Sequence, residues 1–333
     1  MVNPERSALL VVVLLTGALL LALHADAQTR TAPVWIDTDP AVGVPGRDVD
    51  DGFALIQAFR SPELEIRGVS VVFGNASLEQ GLPIARRLVA DHAMPNIAVT
   101  GGAAVADQLG EETDASRALA DALGREALTV LMLGPATNIA TVLLNHPELS
   151  RNAVRVIAVA GRRPGQRFVT GTTGAPGHRD FNFESDPAAF QVLLDSGVPL
   201  VLAPFEISSK IWIGAADLDR FEAGPASARA LAAPSRPWLE LWQNRWDVDG
   251  FNPFDTLAVG YAVSSDGFEC ETLSLQIQML PDDVTDPGEP NAAVAVKPYL
   301  IASPTNGHDS APALYCATAP LDFKSDLIQR LLR

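Results

Sequence analysis

The sequence predicts an α/β fold, a single open, mostly parallel sheet flanked by helices, and three observations predict it. Short apolar runs alternate with helix-period segments from Val34 to about Phe205, the order that strand–helix–strand units produce. The runs are apolar throughout instead of alternating, as strands covered on both faces require. With 333 residues, 47% of them hydrophobic, the chain can bury a full core without metal or disulfide support.

The first 27 residues stand apart. Ala8 to Leu23 is a sixteen-residue run without charge, followed by Ala25-Asp26-Ala27. Small residues at those positions suit cleavage after Ala27, and the run falls short of the roughly 20 residues of a bilayer span. The expectation is a signal peptide over residues 1–27, with an uncleaved anchor as the alternative because Glu5 offsets Arg6. Either places residues 28–333 outside the cytoplasm, periplasmic or secreted.

In that domain, strands are expected at 34–37, 65–73, 97–100, 128–133, 154–160 and 199–203, with helices at 51–60, 78–92, 115–123, 138–144 and 187–194 between them. Asp186-Pro187 is a strong start signal, a capping side chain followed by proline at the first helical position. Beyond Phe205, helix-prone stretches at 215–246 and 253–263 precede alternating residues at 273–279 and 292–296, read as an added sheet edge. A helix over 321–332 closes the chain. Residues 281–290 form an expected surface loop, and 162–177, with four glycines, a second long loop of the kind that often serves function.

The formal charge of −16 and only three lysines, Lys210, Lys297 and Lys324, exclude a nucleic-acid or anionic-membrane binder, which needs a basic face. A small neutral molecule or a cation is the expected partner. Cys270 and Cys316 lie 46 residues apart without a metal-ligand spacing; a bridge and two buried thiols both fit.

The most informative segment is Trp35-Ile36-Asp37-Thr38-Asp39-Pro40, continuing through Asp48 to Val49-Asp50-Asp51-Gly52. Carboxylates crowded beyond the carboxyl end of a parallel strand repel one another unless a cation neutralises them. Oxygen donors without cysteine or paired histidine favour Ca²⁺ or Mg²⁺ over zinc. An acidic surface loop with capping aspartates is the simpler alternative.

From this segment onward the chain resembles the inosine-uridine-preferring nucleoside hydrolases, calcium-dependent N-ribohydrolases with a D-T-D-P-G-h-D-D signature. Val71-Val72-Phe73-Gly74-Asn75 is similar to their V-V-x-G-N, and Leu133-Gly134-Pro135-Ala136-Thr137-Asn138-Ile139-Ala140 resembles G-P-x-T-N-I-A. Asp180-Phe181-Asn182 with Asp186-Pro187-Ala188-Ala189 resembles E-x-N-x-x-x-D-P-E-A-A, and Phe254-Asp255-Thr256-Leu257-Ala258 resembles H-D-P-L-A. The resemblance implies that residues 28–333 form one catalytic domain, with a nucleoside as substrate and a homo-oligomer compatible with it. It implies Ca²⁺ held by Asp39, Asp51, Asp255 and the Thr137 carbonyl, and Asp39 as the base activating a calcium-bound water. It further implies Asp50 and Asn75 on the ribose 2′- and 3′-hydroxyls, and Asp180 and Asn182 on the 5′ side, with free base and ribose as products.

Bland roles compete: Asn75 as cap of the following helix, Asp186 and Asp37 as structural residues, Asp255 as a helix-terminal charge. Three departures from the family stand out. The stretch from Ala41 to Asp48 makes the interval between Asp39 and the Asp pair seven residues longer, so Asp48 could replace Asp50 and Arg47 could pair with a carboxylate. Phe254 stands where the family has the histidine linked to protonating the departing base; His178 and Arg179 are candidate substitutes, although a solvated loop histidine is the default. Residues 100–129 lack the family's P-L and H-G elements, and Asp180 replaces a glutamate. Trp238, Trp242 and Trp246 share one helical face, suited to core packing or to stacking a base.

Phe254 also motivates an alternative, a calcium-dependent ribose- or nucleoside-binding protein with little or no turnover. Asp37-Thr38-Asp39 superficially fits a haloacid-dehalogenase-type phosphatase, but Ala41 breaks that pattern. No G-x-G-x-x-G or G-x-x-x-x-G-K-[ST] loop occurs.

Overall fold

The structure is a computed structural model and describes residues 31–171, 177–284, 295–304 and 310–333. The expected signal peptide lies outside these residues, as do 285–290 of the expected surface loop and 292–294 of the last alternating stretch. Ala32 to Arg333 form one compact unit.

Strands and helices alternate as expected: β1 (Ala32–Thr38), α1 (Asp50–Phe59), β2 (Leu64–Val71), α2 (Leu78–His92), β3 (Val99–Gly101), α3 (Asp114–Arg125), β4 (Leu128–Met132), α4 (Thr137–Asn145) and β5 (Ala153–Ala158). A short helix α5 (Phe181–Ser185) precedes α6 (Pro187–Ser196), β6 (Leu200–Leu202) and the single turn α7 (Phe205–Ser208). The single helix-prone stretch expected at 215–246 is two helices, α8 (Ala215–Glu222) and α9 (Ala226–Trp246). Gly224-Pro225 separates them, Pro225 standing in extended conformation just before the first residue of α9. Then follow α10 (Thr256–Val263), β7 (Glu269–Pro281), β8 (Val296–Ser303), β9 (Ala311–Thr318) and α11 (Phe323–Leu331).

The nine described strands form one sheet in the order β3-β2-β1-β4-β5-β6-β9-β7-β8. Its pairs are parallel except those of β7, which runs antiparallel to both β8 and β9. Side chains of the central strands alternate between two cores. Leu131 and Ile157 face one with Phe53 of α1 and Leu88 of α2; Val130, Met132 and Val156 face the other with Leu119 of α3 and Phe190 of α6. This two-sided burial explains why the strands read as continuous apolar runs.

Two findings lay beyond the sequence reading. Strand β9 was not expected, yet it joins the antiparallel edge to β6. Its register sets Cys316 opposite Cys270 on β7, and the two cysteines form a disulfide. Among the described residues no helix is long and apolar enough to cross a membrane.

Candidate active site

Strand order reverses between β1 and β4, the point in an open α/β sheet where loops diverge and leave a crevice beyond the strand ends. A cavity of about 270 Å³ opens near there, lined by Asp48, Asp50, Asn75 and Asp255 on one side and by Asp180 and Asn182 on another. Aromatic rings supply much of the remaining wall.

Asp39 follows β1 and is 1% exposed. Its N–H donates to Asp51 Oδ1 at 3.0 Å, an oxygen that also accepts the Thr38 hydroxyl. The Asn75 N–H donates to Asp39 Oδ2 at 2.6 Å, while Asp39 Oδ1 has no hydrogen-bond partner among the described residues. Two glycines permit this position. A Cβ on Gly74, whose φ is +157°, would lie 1.9 Å from Asp39 Oδ2, and one on Gly134 would lie 2.7 Å from Val72 Cγ1 and 3.0 Å from Asp39 Oδ1.

Asp50 and Asp51 occupy the first turn of α1, where the helix dipole favours negative charge. Asp48 caps that terminus, its Oδ1 accepting the N–H groups of Val49 (2.7 Å) and Asp50 (3.2 Å). Asp255 precedes α10, makes no capping hydrogen bond and is 2% exposed, and its Oδ2 has no described partner. Asp50, Asp51 and Asp255 each bring an oxygen within 4.8 Å of the other two.

So much buried negative charge has an electrostatic signature. Burial, then the negative charge of Asp51, hold the Asp39 carboxyl well above the ordinary carboxylate range; Asp50 and Asp255 are raised by burial and by each other's neighbourhood of aspartates. Burial pushes Asp51 up to about 6 against hydrogen bonds from Thr38 and Asp39 that lower it, and pushes Asp48 up to about 7. Such a group needs protons or a cation to persist at neutral pH. The residues fit a hard divalent ion: oxygen donors only, close together, two of them carrying an unpartnered buried oxygen.

The other residues expected from sequence fall as follows. Asn75 is not the cap of α2, because Ser77 is; its side-chain amide instead donates to Asp51 Oδ2 at 3.4 Å. Thr137 begins α4, and its hydroxyl donates to Asp186 at 2.6 Å. Asp186 caps α6 through the Ala189 N–H (3.0 Å), the structural role expected. Asn182 donates to the carbonyls of Leu133 (2.6 Å) and Val159 (3.2 Å). Asp180 accepts the Gly161 N–H at 2.8 Å, and burial pushes its carboxyl up to about 7 although Arg162 lowers it. Arg47 is exposed at the cavity rim and pairs with no carboxylate among the described residues, contrary to one expectation.

Asp37 is completely buried, held by Ser70 (2.5 Å) and Asn138 (2.8 Å), with Trp35 donating to Ser70 at 2.8 Å. This support beneath Asp39 was not read from the sequence, and its members lie 33 and 101 residues from Asp37.

The aromatic wall joins distant segments. Trp242 packs against Trp246 at 5.0 Å and Phe254 at 6.2 Å, Phe254 against Phe205 at 6.0 Å, and Phe205 on Phe168 at 4.6 Å. The three tryptophans on α9 therefore serve both readings, core and cavity. His178 is not a solvated loop residue: it is half-buried, stacks on Trp246 at 4.6 Å, and has Nε2 at 2.9 Å from the Thr170 hydroxyl. Burial, with Arg245 nearby, pulls its pKa down to about 4. Phe168 and Phe205 were missed, and only their position in the loops after β5 and β6 could have indicated them.

Residues 34–298 match the inosine-uridine preferring nucleoside hydrolase family. A pyrimidine-specific ribonucleoside hydrolase RihA of Klebsiella pneumoniae is 26% identical over 265 residues, covering 71% of this chain and 81% of its own. The RihA of Salmonella enteritidis is 30% identical over 218 residues, 57% of this chain and 66% of its own. Among solved structures, a plant nucleoside hydrolase shares the fold with a TM-score of 0.73 at 20% identity, over 90% of this chain and 99% of that one. An inosine-uridine preferring nucleoside hydrolase from Bacillus anthracis gives 0.68 at 16% identity, over 91% and 99%. Matched over most of its length, the chain belongs to the inosine-uridine preferring nucleoside hydrolase family and is an N-glycosyl hydrolase.

Proposed function

We propose that the chain hydrolyses the N-glycosidic bond of ribonucleosides with Asp39 as general base, and that Asp39, Asp51, Asp255 and the Thr137 carbonyl hold a Ca²⁺ ion. The observation that carries this reading is Asp39 itself. One of its oxygens is fixed by the Asn75 N–H and the other is buried without a partner among the described residues, beside three carboxylates that crowd within 4.8 Å. Bound there, Ca²⁺ supplies the positive charge that the carboxylates lack and polarises the oxygens it touches.

The chain's own residues do the rest. Asp39 takes a proton from water as the water oxygen bonds to the anomeric carbon and the bond pair leaves with the base. Asp50 and Asn75 accept and donate to the ribose 2′- and 3′-hydroxyls. Asp180 and Asn182 take the 5′ side; the Asn182 amide nitrogen is spent on two carbonyls, which leaves its oxygen for a hydroxyl. These contacts orient the sugar and set charge where the ribosyl cation develops. The products are free base and ribose.

The same reading places the domain at 28–333, periplasmic or secreted, after removal of residues 1–27; a mature protein beginning at Gln28 is the expected result of N-terminal sequencing. Phe254 in the aromatic wall favours a second reading, calcium-dependent binding of a ribose or nucleoside without turnover. Incubating the purified protein with a panel of ribo- and deoxyribonucleosides, with Ca²⁺ and with chelator, separates them. Release of reducing sugar that chelator abolishes is expected. Calcium-dependent binding without release supports the second reading, and turnover indifferent to chelator overturns the metal assignment.

A further inference from the structure

We propose that Lys297 and Arg162 are positioning residues of the reaction: acting through the Glu184 carboxylate and through the backbone at Gly161, they fix Asp180 as the acceptor of the substrate's 5′-hydroxyl. This deepens the hydrolase reading and rests on its placement of Asp180 at the 5′ side. Three observations carry it.

The first is how the main chain of Asp180 is held. Asp180 precedes the five-residue helix α5 without capping it, and so short a helix has little stability of its own. Glu184 clamps the residue on both sides: the Asp180 N–H donates to Glu184 Oε1 at 3.0 Å, and the Asp180 carbonyl accepts the Glu184 N–H at 2.7 Å. The place of the Glu184 carboxylate therefore sets the place of Asp180. Lys297 of β8 holds that carboxylate, its Nζ donating to the same Oε1 at 2.8 Å, while Arg179 donates to Oε2 at 2.8 Å from the surface.

The second is how the side chain is held. Asp180 lines the cavity; its Oδ2 accepts the Gly161 N–H at 2.8 Å, and no hydrogen bond among the described residues reaches Oδ1. Arg162, the next residue after Gly161, ties this backbone to β8: its N–H donates to the Leu300 carbonyl at 3.0 Å and its carbonyl accepts the Ala302 N–H at 2.8 Å. The Arg162 guanidinium stands over the rings of Phe168 at 4.0 Å and Tyr299 at 4.8 Å, and Nη1 donates to Asp283 Oδ2 at 2.7 Å. Main chain and side chain of Asp180 are thus both anchored to β8, the strand at the far edge of the sheet.

The third is charge. The side chains of Lys297 and Arg162 are 11% and 2% exposed, and a cation so buried persists only where carboxylates repay its desolvation. Glu184, Asp282 and Asp283 do so, within 2.8–3.4 Å of Lys297 Nζ. The two cations also act on Asp180. Burial pushes its carboxyl up to about 7, and Arg162 and Lys297 oppose that rise. An ionised carboxylate accepts a hydroxyl proton more strongly than a neutral acid does, so the same pair that aims Asp180 favours its accepting form.

The test compares p-nitrophenyl riboside with its 5′-deoxy counterpart on the full chain with Ca²⁺. The leaving group is the same, so the ratio of the two kcat/KM values reads the 5′-hydroxyl alone. The unmodified chain should prefer the riboside by ~10-fold or more, the worth of a hydrogen bond to a charged group, and Asp180→Ala should abolish that preference. Lys297→Met and Arg162→Met should each cut it to about three-fold, the worth of an ordinary hydrogen bond, and Lys297→Arg should restore most of it. Glu184→Gln keeps the size of the side chain and removes its charge; it should cut the preference as well, and it decides the matter if the methionine variants do not fold. Variants that slow both substrates equally and leave the preference intact would show a network that serves stability alone, which overturns this inference and leaves the hydrolase reading standing. An unmodified chain that cleaves both substrates alike overturns the placement of Asp180 and this inference with it, and failure to cleave either overturns the hydrolase reading as well.

Discussion

At one end of the cavity Asp50, Asp51 and Asp255 crowd within 4.8 Å, and Asp255 Oδ2 has no partner among the described residues; at the other, Phe205, Trp242 and Phe254 lie ring against ring at 6.0–6.2 Å. The acidic end is electrostatically incomplete, because its carboxylates raise one another's proton affinity until a cation arrives. The aromatic end is complete as packing and selects by shape and ring electrostatics. On the proposed reading, metal binding and sugar recognition belong to one end and leaving-group choice to the other, so substitutions should separate them.

The largest effect expected is at the acidic end. Asp39→Asn should lower kcat by about 10³-fold, within the range general-base catalysis contributes, for every riboside alike. Thermal unfolding of the metal-free variant should be no earlier than that of the unmodified chain, because a repelling carboxylate has gone. Near-normal turnover by a folded Asp39→Asn protein would remove Asp39 from the mechanism.

Metal removal tests the same end through stability. Burial holds Asp37 up at about 7 and Asp51 at about 6, so the folded chain keeps protons that the unfolded chain releases near pH 4. Metal-free stability should therefore fall as pH rises from about 4 toward 7. An ion that binds the ionised carboxylates opposes this loss. The rise in Tm on adding Ca²⁺ should be larger at pH 7.5 than at pH 5; an equal shift at both would show that these carboxylates are not its ligands.

At the aromatic end the effect should be smaller and selective. A p-nitrophenyl riboside needs no proton to lose its leaving group, so the unmodified chain should prefer it to inosine or uridine. Phe254→His, at a residue that lines the cavity, should narrow that preference by roughly ten-fold by supplying an acid. An unchanged preference together with a lowered Tm would mean that the new ring serves packing alone. His178 has a depressed proton affinity, so the acid limb of the unmodified chain's pH profile should not follow a group near 6.5.

The smallest effect on activity is expected far from both ends. Replacing Cys270 and Cys316 with serine should lower Tm, since their bridge closes a 46-residue separation, while kcat/KM stays unchanged. A matched loss of activity would show that the β7–β9 edge acts on the cavity.

What the sequence determined by itself is the part written in local signals. The six strands and five of the six helices between Val34 and Phe205 follow from apolar runs and helical periods, the short α5 being the exception, and α6 starts at its Asp-Pro signal, because these patterns report burial of one segment at a time. The aspartates of the acidic end were legible for the same reason, being close in sequence or carried by short motifs. Tertiary structure decided the rest. Asn75 left its capping role for Asp39 and Asp51, Asp37 acquired Ser70 and Asn138, and His178 was drawn from its loop onto Trp246. The aromatic wall and the Cys270–Cys316 pairing likewise unite segments with no shared local pattern, since only the order in which strands join the sheet sets which loops meet above it.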